Sequence, residues 1–139
     1  MRGCRDPFVA EAVRLLQTIS GVGPRAAEAI VSEVGVDMSR FPTHAHLASW
    51  TGMCPGNNES GGKRLSGKTN KGSTYLHNAL IQSAWAASHT KQTYLAAQYR
   101  RLVRTKGQKR ALVAVGHSIL VIAYHILKRR AGHEELGGD

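Results

Sequence analysis

Negative charge is scarce in this sequence. Nine Asp and Glu stand against nineteen Lys and Arg, a formal net charge of +10 on 139 residues with a pI near 10.2. A field of that sign favours polyanions, nucleic acid first and an acidic membrane surface second. The plain alternative is a soluble basic protein with no such partner. Cysteine is nearly absent too. Cys4 and Cys54 have no C-x-x-C spacing, which excludes a disulfide scaffold and a zinc ribbon. A reduced, cytoplasmic setting is therefore the default expectation. Long hydrophobic runs are also missing. The N-terminal MRGCRDPFV lacks the apolar core of a signal peptide. Residues 111–127 are apolar but shorter than the roughly 20 residues a span needs, and Gly116, His117, Ser118 and His125 interrupt them. They read as a buried core helix, and no membrane is expected. Period-two alternation is found nowhere, so strands are not expected. One all-α domain fits the length.

What the chain does have is a basic, glycine-rich stretch, residues 55–72, PGNNESGGKRLSGKTNKG. Its only large apolar residue is Leu65. Glycines at 56, 61, 62, 67 and 72 allow the backbone to approach another molecule closely. Lys63, Arg64, Lys68 and Lys71 face a single anion, Glu59, with hydroxyls at Ser60, Ser66 and Thr69 between them. Glycine-freed amides beside lysine and arginine are the chemistry that grips phosphate oxygens. A loop this long inside a small chain is functional or disordered. The functional reading makes the remaining helices its scaffold.

Asp6-Pro7 reads as a cap and first residue of a helix, and Phe8, Val9, Ala12, Leu15, Leu16 and Ile19 continue it at three- and four-residue spacing to about Thr18. Ser20-Gly21-Val22-Gly23 stops it. Pro24 opens a second helix with Ala26, Ala27, Ile30, Val31 and Val34 on its apolar face and Gly35 as its C-terminal cap. Helix, Ile-Ser-Gly-Val-Gly-Pro, helix resembles the helix-hairpin-helix module of DNA repair and recombination proteins. In such a module free amides and the positive end of a helix dipole converge on a phosphate. Here Gly21, Gly23 and the start of the second helix would do so, with Arg25 alongside. A helix–helix turn that binds nothing stays open.

A looser connection is expected over residues 36–42. Thr43 then caps a short helix through His44, Leu47, Ala48 and Trp50, closed by Gly52. His44 and His46 at i, i+2 point to different faces of a helix. With Cys54 they lack a fourth ligand, so packing or surface roles are favoured and no metal is expected. After the basic loop, Ser73 or Thr74 caps a helix with Leu76, Leu80, Ile81, Ala84 and Ala87 on one side, and Trp85 is expected to pack rather than stack on a base. Residues 90–105 form another helix with Tyr94, Leu95, Leu102 and Val103 inward. Its far face, Arg100, Arg101 and Arg104, runs into Lys106, Lys109 and Arg110, either a solvated face or a phosphate-tracking stripe. Residues 108–130 are apolar nearly all round, as at the centre of a bundle. Residues 131–139 read as a frayed tail.

Taken together, Gly-Val-Gly-Pro, Trp-Thr-Gly-Met-Cys-Pro-Gly, Ser-Gly-Gly-Lys with Gly-Lys-Thr-Asn-Lys-Gly, Leu76, and Gly-His-Ser-Ile-Leu-Val-Ile-Ala-Tyr-His-Ile-Leu-Lys resemble the C-terminal domain of DEDD-type insertion-sequence transposases. This is the insertion-sequence "one-ten" family, which includes pilin-gene invertases and bridge-RNA-guided recombinases. The resemblance covers about residues 15–130. It implies a single transposase C-terminal domain over 1–130, with a helix-hairpin-helix at 8–35, the basic loop at 53–72 and a three-helix part at 73–130. It also implies a serine nucleophile that joins to DNA, which by motif position is Ser60; Ser66 is the rival. Gly61 and Gly62 would permit close approach, and Lys63 and Arg64 would supply charge to the phosphoryl oxygens, with Lys68 and Lys71 on the DNA backbone. The family's RuvC-like half, with its acidic ligands for a divalent metal such as Mg, is absent from this sequence, so no cofactor is expected here. No general base stands near Ser60, and His77 occupies a position where the family often has arginine. DNA is the expected partner, a structured guide RNA stays open, and a homo-oligomer is implied for the full assembly. The expected function is thus the DNA-binding, serine-nucleophile part of a recombinase that cuts poorly alone, or else a non-catalytic nucleic-acid-binding module.

Overall fold

The computed structural model describes residues 8–52 and 74–130, all helix, turn and connection with no strand among them. The Asp6-Pro7 cap, the basic stretch with Ser60, Cys54 and the C-terminal tail lie outside the described residues.

Helix α1 is Phe8–Leu16 and buries Phe8, Ala12, Leu15 and Leu16, the i, i+4, i+7, i+8 stripe of an amphipathic helix. It stops two residues earlier than its periodicity predicts. From Gln17 onward the amides reach back three residues instead of four, Thr18 N–H to Leu15 O and Ile19 N–H to Leu16 O, and the Thr18 hydroxyl donates to Leu15 O at 2.6 Å. That tightened turn drives Ile19 and Val22 into the core. Helix α2, Pro24–Val34, begins with proline at its first position and ends at Gly35, whose φ of 86° and ψ of −179° only glycine adopts easily. Residues 36–42, expected as a loose connection, are ordered instead. Met38–Arg40 form a 3₁₀ turn in which the Asp37 carboxylate accepts from the Ser39 amide and hydroxyl, and Val36, Met38 and Phe41 are buried.

Helix α3, His44–Thr51, has the cap expected of it. Thr43 Oγ1 accepts from the His46 amide, and Gly52 closes the helix in the left-handed region. Helix α4, Thr74–Ser88, buries Leu76, Leu80, Ser83, Ala84 and Ala87. Helix α5 is Tyr94–Arg129, two helical arms that meet at a kink where Gly107 leaves helical geometry (φ 86°, ψ 167°). The two helices read from the sequence, 90–105 and 108–130, are therefore both present, one on each side of Gly107, as the two arms of α5. Its start is Thr93, whose Oγ1 accepts from the Ala96 amide, and not Thr90, whose hydroxyl instead donates to Ala87 O at the end of α4.

The second arm of α5 lies in the core, with Val115, Ile119, Leu120, Ala123, Ile126 and Leu127 almost wholly buried. The most extensive packing of α5 as a whole is against α4, with Ala84 and Ala87 of α4 fully buried. Each large side chain buried in this core contributes about 1.5–3 kcal/mol. The arm is not apolar-packed on every side: Leu112, Val113, Val121 and Ile122 are only half-buried. By length and composition α5 is also the one described helix that could cross a membrane, but half of its apolar window is covered by the fold. The Tyr124 hydroxyl, deep beside α3, donates to Phe41 O at 2.8 Å, and Lys128 donates to that hydroxyl at 3.4 Å. Two aromatics break expectation. Tyr94 is exposed rather than inward, and Trp85 is half exposed with its ring against His89, centroids 4.1 Å apart.

Candidate nucleic-acid interface

The turn between α1 and α2 holds two glycines with opposite surroundings. At Gly21 φ is +87°, and a Cβ there would lie 2.4 Å from Ser83 O and 2.7 Å from Ala87 N. The turn is thus pressed onto the backbone of α4 at a place that admits no side chain. At Gly23, the N-cap of α2, a Cβ would meet nothing within 4 Å. No side chain caps α2, Pro24 has no N–H, and the first intrahelical bond of this end is Ala27 N–H to Gly23 O at 2.9 Å. The amides of the first turn therefore point outward with the positive end of the helix dipole.

They open onto a groove of about 530 Å³ between α2 and α4. Gly23, Pro24 and Arg25 form one wall; Tyr75, Asn78 and Gln82 of α4 form the other. Arg25 is exposed, and no acidic side chain lines the groove. Backbone amides, a guanidinium, two carboxamides and a phenol on converging walls suit an anion with oxygen acceptors and a neighbouring flat ring or sugar. The α4 wall was not anticipated from the sequence. Its signal was there: Tyr75, Asn78 and Gln82 recur at i, i+3, i+7, on the face away from Leu76, Leu80, Ala84 and Ala87.

Of the residues predicted to contact DNA, Gly21, Gly23 and Arg25 are brought together in this groove. Ser60, Gly61, Gly62, Lys63, Arg64, Lys68 and Lys71 lie outside the described residues, in the stretch that leads into α4 at Thr74. His77 is half-buried on α4.

The histidines sort by packing. His46 is held by Thr43, its Nδ1 2.9 Å from Oγ1. His44 faces His125 and Tyr124, with ring centroids 5.7 and 6.4 Å away. Burial, and then the neighbouring His44, push the His117 pKa down. His125 is lowered by burial first, then by His44, Arg129 and Lys128. Among the described residues no three His, Cys, Asp or Glu are placed to hold a metal ion.

A second sequence feature, clear once the charges are mapped, is that no Asp or Glu occurs between Ser60 and His133. The four acidic residues described, Glu11, Glu28, Glu33 and Asp37, all precede α3.

These features define a basic helical fold with an acid-free groove between α2 and α4, and comparison with known proteins gives the class. Residues 13–100 match the model of the transposase IS116/IS110/IS902 family. The chain belongs to that family. It is 29% identical over 116 residues to the insertion element IS110 uncharacterized 43.6 kDa protein of Streptomyces coelicolor, covering 82% of this chain and 28% of that protein. It is 26% identical over 126 residues to the pilin gene-inverting protein of Moraxella bovis (88% of this chain, 39% of the relative), and 27% identical over 118 residues to that of Moraxella lacunata (83% and 36%). The chain thus spans roughly a third of the length of these relatives.

Proposed function

We propose that this chain is the DNA-gripping part of a transposase or site-specific recombinase, and that the α2–α4 groove seats a backbone phosphate. One observation carries this most: the uncapped, glycine-opened start of α2 and Arg25 share a groove with α4, the helix that follows directly from the basic stretch. In this reading the α1–α2 pair acts as a helix-hairpin-helix, holding the sugar-phosphate chain without reading bases. Lys63, Arg64, Lys68 and Lys71 add charge, and Gly61 and Gly62 let the backbone come close.

Ser60 is the nucleophile. Its Oγ forms a bond to phosphorus, the bond from phosphorus to the leaving deoxyribose oxygen breaks, and the hydroxyl proton passes to a base supplied from elsewhere in the assembly. Lys63 and Arg64 stabilise the charge on the non-bridging oxygens. The described part of this chain offers no carboxylate cluster for a divalent ion; such an ion belongs to a separate RuvC-like acidic domain, with which this one acts in a homo-oligomer in the cytoplasm. The names of the Moraxella relatives, which invert a pilin gene, support strand exchange over simple binding.

The test is a covalent protein–DNA adduct, trapped with the acidic domain supplied. Ser60→Ala removes the adduct but leaves DNA affinity nearly intact. An adduct that survives in Ser60→Ala refutes the nucleophile. Affinity lost with Arg25→Gln but no adduct under any condition leaves the non-catalytic binding module as the function.

A further inference from the structure

The bend in α5 gathers charge in a way the rest of the fold does not. Arg100, Arg101 and Arg104 precede Gly107; Lys106, Lys109 and Arg110 flank and follow it. All six are exposed, and residues 104–110 are exposed without interruption. None of the six has a hydrogen-bond, ion-pair or ring partner among the described residues. Elsewhere several cations are used by the fold. Arg14 pairs with Glu11, Arg40 donates to Val34 O and covers the Phe41 and Trp50 rings, and Arg130 covers Phe8 at 4.1 Å.

Six unpaired cations on eleven residues repel one another, since like charges three and four apart on a helix are destabilising. The break at Gly107 sets them around an elbow rather than along one line, and its φ of 86° with ψ of 167° fixes that shape. A Cβ at Gly107 would touch nothing, so backbone conformation and not crowding makes glycine suitable there. The elbow also lies on a different element from the walls of the groove.

We infer that the Gly107 elbow is a second phosphodiester-backbone site, gripping a nucleic-acid duplex at a place distinct from the α2–α4 groove. The inference rests on the nucleic-acid function proposed above. The elbow covers at most about 15 Å of helix axis, matching about four phosphates of one strand at 3.4 Å each. Binding there relieves the mutual repulsion and releases counterions, so the site is read out as salt dependence. The shared chemistry is the phosphate backbone; duplex DNA and duplex RNA are its two sources.

The experiment measures affinity of the 139-residue chain for fluorescent 30-base-pair DNA and RNA duplexes across a salt series. R104Q/R110Q is compared with K91Q/R129Q, which removes the same charge from two exposed sites away from the elbow. The elbow variant shallows the log–log salt slope by about 1.8, at roughly 0.9 per lost phosphate contact, and weakens binding about tenfold or more near 0.15 M salt. The control variant keeps the slope. Greater loss on DNA or on RNA names the source. Equal changes in both variants, or none in R104Q/R110Q while the wild-type chain binds, overturn the elbow site and leave the groove standing. A wild-type chain that binds neither duplex overturns the proposed function as well.

Discussion

Gly21 and Gly23 are two residues apart in one turn, yet the fold uses them in opposite ways. Gly21 is consumed by packing, its α-carbon against Ser83 and Ala87 of α4. Gly23 faces open space at the mouth of the groove. The cations divide along the same line. Arg40 and Arg130 lie on aromatic rings, whereas Arg25 and the elbow cations have no hydrogen-bond, ion-pair or ring partner among the described residues. Groups already satisfied within the fold contribute stability; groups left over are the ones available to a ligand.

The comparison can be broken most sharply at the turn itself. Gly21→Ala places a methyl into α4 backbone at a positive φ. Strain and overpacking together cost about 3–5 kcal/mol, seen as a fall in melting temperature on the order of 10 °C or more. Gly23→Ala costs about 1 kcal/mol or less. Equal losses at the two positions would refute the division. Tyr124→Phe leaves the buried Phe41 carbonyl without its donor and costs about 1–3 kcal/mol by denaturant titration, with no change in DNA affinity.

Arginines come next. Arg40→Gln lowers stability by about 0.5–1 kcal/mol, through lost ring contact at an exposed site. Arg25→Gln leaves the melting temperature unchanged and shallows the salt slope of DNA binding by about 1. The reverse pattern would show that Arg25 belongs to the fold.

The smallest effect is that of pH. His117 and His125 titrate below the ordinary value of about 6.5 in the folded chain. Below that value the unfolded chain takes up protons first, so stability is full above about pH 6.5 and declines as pH falls through the window beneath it. His44→Gln removes one repelling charge and flattens that decline in a thermal-melt series. An unchanged decline would mean His44 does not act on its neighbours.

Much of the architecture was legible from the chain. Gly35 and Gly52 as caps, Thr43 as an N-cap and the stripe of Leu76, Leu80, Ala84 and Ala87 each follow from local chemistry. What escaped was decided by partners distant in sequence or by competition between equals. Thr90 and Thr93 are both capable caps, and only the geometry of the α4–α5 turn assigns α5 to Thr93. The order of residues 36–42 comes from Val36, Met38 and Phe41 finding a core that no local window contains. The groove was half visible. Its α2 wall was readable from Gly-Val-Gly-Pro, but its α4 wall became one only when Gly21 docked on that helix.

That docking also sets a ruler. From Ser83, where Gly21 seats, back to Thr74 is nine residues of helix, about 13 Å at 1.5 Å each. The α1–α2 turn therefore fixes how far the first residue of α4 stands from the point where Gly21 is seated. Slipping α4 by one turn would carry Thr74 about 5 Å along the helix axis and take Tyr75, Asn78 and Gln82 out of register with Arg25 across the groove.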